Sequence, residues 1–154
     1  MSPVRMIPDG FLSFDDPSID FLTKPIMEKN MPWDVNTAIQ HLRTNAKPTS
    51  QGQCAQYTRR AVDAGGIRLI STLHAKDYGS SLTKAGFCEV SSKGPFQAGD
   101  VAVIQPITGH PDGHMCMFDG SNWISDFKQH SLYPGPAYRD AKPIYKIYRY
   151  PKRI

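Results

Sequence analysis

At Gly86 the hydrophobic period of this chain changes. Before it, apolar residues recur every three or four positions, a spacing that a helix gathers onto one face. After it, short apolar and aromatic runs are divided by Gly, Pro and Asp, the pattern of strands separated by turns. A helical first half joined by short connections to a strand-rich second half specifies the α+β class, with N-terminal helices packed on an antiparallel sheet.

Residues 1–32 carry prolines at 3, 8, 17, 25 and 32 with no sustained period, and read as an extended arm anchored by Phe11, Phe14, Phe21 and Leu22. Residues 33–154 read as one domain. Val35, Ala38, Ile39, Leu42 and Ala46 predict a helix over 33–46 capped by Asp34. A second helix is expected over 51–64, stopped by Gly65-Gly66, and a third over 71–85, broken at Gly79 and stopped by Gly86. Strands are expected at 87–90, 101–105, 114–118, 123–127 and 144–150.

Cys54 opens the second helix. Ser50 and Gln53 have capping-box spacing, which places Cys54 in the first turn. There, unpaired N–H groups and the helix dipole favour a thiolate, the nucleophilic form of cysteine. His114, which follows Gly113 and begins a strand, supplies a base. If Asp119–Ser121 closes a three-residue hairpin loop, His114 faces Asp126 across the ladder, within reach of an imidazole–carboxylate hydrogen bond. Cys54, His114 and Asp126 then form a nucleophile, base and orienter. The Cys54 N–H supplies one oxyanion donor, with Gln51 or Gln53 as a second. A two-residue loop would put Asp126 on the other face.

Tyr57, one turn after Cys54, is placed in the cleft or in helix packing; His110 and Asp112 at its rim; Lys128 and Gln129 near ligand; and Tyr133–Tyr138 along its border. Gln53, Tyr57, His110 and Gln129 are the candidate substrate contacts. Asp100, Asp119 and Gly120 read as structural. His110, Asp112, His114 and Cys116 alternate as metal ligands can, but an extended segment does not easily converge four side chains on one ion. The preferred reading has no metal and no cofactor.

The net charge of +4 suits an anionic partner, yet the basic pairs Arg59-Arg60 and Lys152-Arg153 lie far apart, which argues for solvated positions over a nucleic-acid stripe. No apolar run reaches membrane-spanning length, and the N-terminus lacks the order of a signal peptide. Cys54, Cys88 and Cys116 make no CxxC and no even disulfide framework; a Cys88–Cys116 bridge is the minor alternative to two buried thiols.

Gly52-Gln53-Cys54 opening a helix, Gly99-Asp100-Val101 opening a strand and Gly113-His114 opening the next resemble the papain-like CHAP and NlpC/P60 cell-wall hydrolases over roughly 33–127. More narrowly, Gln53–Tyr57, Ala64-Gly65-Gly66, His74–Gly79 and Trp123–Phe127 resemble the second family of type VI secretion amidase effectors. The resemblance implies a papain-like fold and a toxin made in the cytoplasm and injected into a competitor's periplasm. It implies hydrolysis of peptidoglycan stems at the D-alanine to meso-diaminopimelate cross-link, with Cys54 and His114 as the catalytic pair. It also implies partners in an immunity protein and the secretion machinery. A phage or self-lysin with the same triad, and a basic binding module with a structural Cys54, are the competing readings.

Overall fold

The computed structural model describes residues 32–151, so the expected arm falls almost wholly outside the described residues. Helix α1 (Val35–Asn45) starts where Asp34 caps it: the carboxylate accepts the Thr37 N–H at 3.1 Å and the Thr37 hydroxyl at 2.8 Å. Its Ala38, Ile39 and Leu42 are buried. Helix α2 (Cys54–Ala64) buries Thr58, Ala61 and Val62 and ends at Gly65-Gly66. Glycine is required at 65, because a Cβ there would come within 2.7 Å of the Trp33 ring.

The third expected helix is shorter. A 3₁₀ turn (Ala75–Asp77) leads into α3 (Tyr78–Lys84), and Leu73, within the expected helix, is 89% exposed. Gly79 does not break the helix; a Cβ there would sit 2.5 Å from the Tyr148 hydroxyl, so its smallness lets α3 approach the sheet.

Five strands follow: β1 (Cys88–Val90), β2 (Val101–Ile104), β3 (His114–Phe118), β4 (Trp123–Ile124) and, after the short helix α4 (Pro136–Ala141), β5 (Tyr145–Arg149). They pair antiparallel in the order β1-β5-β2-β3-β4. One face of the sheet, including Val101, Val103, Met115 and Met117, packs on α1–α3. The other, with Ala102, Ile104, Cys116 and Ile147, is covered by Tyr138 of α4 and by Leu132 and Tyr133. The α+β class and the antiparallel sheet agree with the sequence. Asp100 is fully buried in a bidentate pair with Arg149, with both contacts at 2.8 Å, and so is structural as expected.

The β3–β4 hairpin departs from expectation. Phe118 pairs with Trp123 and Met117 with Ile124, a four-residue connection, so the facing pairs shift by one. Asp119 sets this loop. Its Oδ1 accepts the N–H groups of Ser121 at 2.8 Å and Asn122 at 2.6 Å, and its own N–H donates to the Asn122 carbonyl. The chain then reverses at Ser125–Phe127 and returns beside β4, where the Gln129 N–H donates to the Trp123 carbonyl at 2.9 Å.

Candidate active site

Because β4 is only two residues long, the His114–Cys116 end of β3 has no strand on its outer side. The start of α2 and the reversal at 125–129 close around that gap. Asp126 joins them. Its buried carboxylate accepts the N–H groups of Gln51 at 2.8 Å and Gln53 at 2.9 Å through Oδ2, and the Ser125 hydroxyl at 3.2 Å through Oδ1. The Asp126 carbonyl also accepts the Lys47 N–H at 2.7 Å. The capping box therefore does not form. Gln53 is the N-cap without a side-chain bond, and the capping charge comes from Asp126, 73 residues along the chain from Gln53.

Asp126 is thus not the partner of His114, as the shifted register requires. That partner is Gln129: its Oε1 lies 2.7 Å from His114 Nε2. The Gln129 Nε2 donates to the carbonyls of Ser131 and Leu132, at 3.0 Å each. With both amide hydrogens used, only Oε1 can face the imidazole, so His114 must carry its proton on Nε2. The lone pair on Nδ1 is left for the cavity that His114 and Cys54 both line. Gln129, expected to touch ligand, instead lies buried behind the histidine.

His114 is held at this corner by Gly113, whose φ of +76° lies in the left-handed region; a Cβ there would meet the Ile104 carbonyl at 2.5 Å. Burial pushes the imidazole below its ordinary pKa, and His110 adds to that effect; the Gln129 bond and the Asp126 charge oppose it. Cys54 is half-buried. Burial pushes its thiol up to about 11, with the Asp126 charge adding to the rise, against N–H groups of Met115, Ala55 and Cys54 itself that favour the anion. The expectation of a resting thiolate is therefore reversed, because desolvation outweighs the helix terminus. The resting pair is a neutral thiol and a neutral imidazole. Cys116, wholly buried, is raised further by burial; Cys88 is exposed, and all three cysteines are free.

Cys54 stands between two cavities. The larger, about 440 Å³, runs past His114, His110 and Tyr138 and along Pro134–Ala137, so the expected border loop is in place. His110 packs on the Tyr138 ring with centroids 5.3 Å apart. The smaller, about 340 Å³, is lined by Gln53, Gln56, Arg59, Ser71 and Thr72 among others. Gly52, Cys54 and Asp112 line both. Asp112, opposite His74 at 2.6 Å, had been placed only at the rim. Tyr57 packs against the helical core and lines neither cavity, nor does Lys128. The side-chain amide of Gln51 is bound to the Thr49 carbonyl at 2.8 Å. Arg59, expected to be a solvated position, lines the smaller cavity with Gln56, and their spacing of three on one helix face is the sequence signal for it. Among the described residues no three His, Cys, Asp or Glu side chains are placed to hold one metal ion, so the alternating run from His110 to Cys116 does not converge on one. No described helix is long and apolar enough to cross a membrane.

No family model and no curated protein matches the chain. Solved structures do. A chain of the native type VI effector–immunity complex Tae3–Tai3 from Ralstonia pickettii is 55% identical, with a TM-score of 0.73 over 77% of this chain and 99% of that one. The selenomethionine form of the same complex gives 57% identity and a TM-score of 0.70 over 73% and 98%. The relatives bear the name Tae3, where the sequence motifs had pointed to the second effector family. With a relative this similar matched along nearly its whole length, the chain belongs to the Tae3 family of type VI secretion effectors.

Proposed function

We propose that this effector is a papain-like cysteine amidase, related to the NlpC/P60 hydrolases, that cuts peptide cross-links of peptidoglycan in the periplasm of a rival cell. The observation that carries this reading is the Cys54–His114–Gln129 arrangement. A thiol at a helix N-terminus shares a cavity with an imidazole whose tautomer is fixed by a side-chain amide, the logic of the Cys-His-Asn enzymes. As substrate binds, the Cys54 proton passes to His114 Nδ1 while Sγ attacks the amide carbon, and the oxyanion takes the Cys54 N–H. His114 then gives that proton to the departing amine, leaving a thioester. Water, losing a proton to Nδ1, attacks the thioester; the acid departs and the sulfur regains its hydrogen.

Because the resting pair is neutral, His114 acts as a true general base and does not hold a preformed ion pair. The solved effector–immunity complexes support a cognate immunity protein as a partner of this chain too, and support delivery by the secretion machinery into the target cell. The bond we assign is the D-alanine to meso-diaminopimelate cross-link. Digestion of purified sacculi followed by mass spectrometry tests this. Cross-linked dimers should fall and free tetrapeptide monomers rise with wild type and not with Cys54→Ala; an unchanged muropeptide profile with wild type refutes the reading.

A further inference from the structure

The two cavities on either side of Cys54 are not equivalent, and the chemistry of amide cleavage orients a substrate across them. His114 lines only the larger cavity. The group that receives a proton from His114 is the departing amine, so the amine half of the substrate lies in the larger cavity. The acyl half, held by sulfur after the first step, then extends the other way, into the cavity of Gln56 and Arg59.

That acyl-side cavity carries the Arg59 cation and, at its border with the larger cavity, the Asp112 carboxylate, which faces His74 at 2.6 Å. Gln56 and Arg59 are three residues apart on α2 and present neighbouring side chains to it. No described carboxylate lies within ion-pair distance of the Arg59 guanidinium. Ser71 and Thr72 also line the cavity, the Thr72 hydroxyl donating to the His74 carbonyl at 2.8 Å. Along the helix axis Arg59 lies about 7.5 Å beyond Cys54, roughly the length of two extended residues, and about 140° further round the helix.

We infer that Arg59 is a specificity residue that binds a free carboxylate on the acyl half of the substrate, within about two residues of the scissile carbonyl. The inference rests on the amidase reading above and adds to it a direction and a requirement. A planar guanidinium suits this task because it meets a carboxylate through two parallel hydrogen bonds, which an ammonium cannot do.

The test uses a cross-linked peptide dimer in two forms, with the acyl-half carboxylates free or converted to amides. Wild type should cut the free form with a kcat/KM about tenfold or more above that for the amide form. Arg59→Gln should erase this preference, mainly by raising KM for the free form, and Arg59→Lys should restore part of it. Calorimetry with Cys54→Ala should show the same order of affinity for the uncut peptides, a readout that does not depend on turnover. Equal kcat/KM for the two forms with wild type, or an undiminished preference in Arg59→Gln, overturns the assignment while leaving the amidase intact. Failure of wild type to cut either form overturns the amidase reading, and this inference with it.

Discussion

The side-chain amide of Gln129 and the imidazole of His114 meet at 2.7 Å, and the amide cannot turn around because its nitrogen is held by two backbone carbonyls. Gln129→Ala removes the acceptor and strands those part-buried carbonyls. We expect kcat to fall by about tenfold to a hundredfold and stability by about 1–3 kcal/mol. Gln129→Glu separates the two effects. A carboxylate beside the imidazole favours its charged form, so the acid limb of the kcat/KM profile should move to higher pH. A pH–rate series on purified cross-linked peptides, with thermal melts alongside, checks both.

The sulfur should show its burial directly. With the thiol raised to about 11, alkylation of Cys54 by iodoacetamide should be slow at neutral pH and reach half its maximal rate near that value. Peptide mapping by mass spectrometry, with exposed Cys88 as an internal control, measures it. Half-maximal alkylation below pH 7 would instead reveal a thiolate–imidazolium pair.

Asp126 should behave as a structural anchor that also biases the site. Asp126→Ala leaves the Gln51 and Gln53 N–H groups without an acceptor and should cost about 1–3 kcal/mol in a denaturant melt. Asp126→Asn is the finer probe. Its carboxylate charge raises both the Cys54 thiol and the His114 imidazole, so neutralising it should lower both. The alkylation midpoint should shift down, and so should the acid limb of activity.

Gly113→Ala should damage fold and catalysis together. The left-handed backbone costs a non-glycine residue roughly 1–2 kcal/mol, and the added carbon meets the Ile104 carbonyl at 2.5 Å. A lowered Tm with a larger fractional loss of kcat than Gly79→Ala would show that this glycine aims His114 as well as relieving strain.

The positions of Cys54 and His114 were legible because each is marked locally: one at a helix start, the other after a glycine at a strand start. The third member was not, because its identity depends on a register. Asp119-Gly120-Ser121-Asn122 can close a hairpin in more than one way, and which way is decided by two backbone bonds to the Asp119 carboxylate and its pairing with Arg43, 76 residues away in the chain. Gln129 is brought back by a reversal over Ser125–Phe127 that contains neither glycine nor proline, and Ser125-Asp126 alone is too weak a turn signal to separate it from a continuing strand. Asp126, expected to orient His114, instead holds the Gln51 and Gln53 N–H groups at the start of α2. The error at 71–74 has the same origin: the apolar spacing suits a helix, but Leu73 finds no core to face. The thiolate expectation failed because a sequence shows the helix terminus and not the depth of the sulfur.

That depth decides what the protein is like when it has nothing to cut. A thiol raised to about 11 is ionised in only about one molecule in ten thousand at pH 7. Peroxides and stray disulfides react with the anion, so the resting sulfur is a poor target for them. The same burial that makes a base necessary for attack should therefore leave the resting Cys54 slower to react with peroxide than exposed Cys88, and reserve its reactivity for a ligand that fills the cleft.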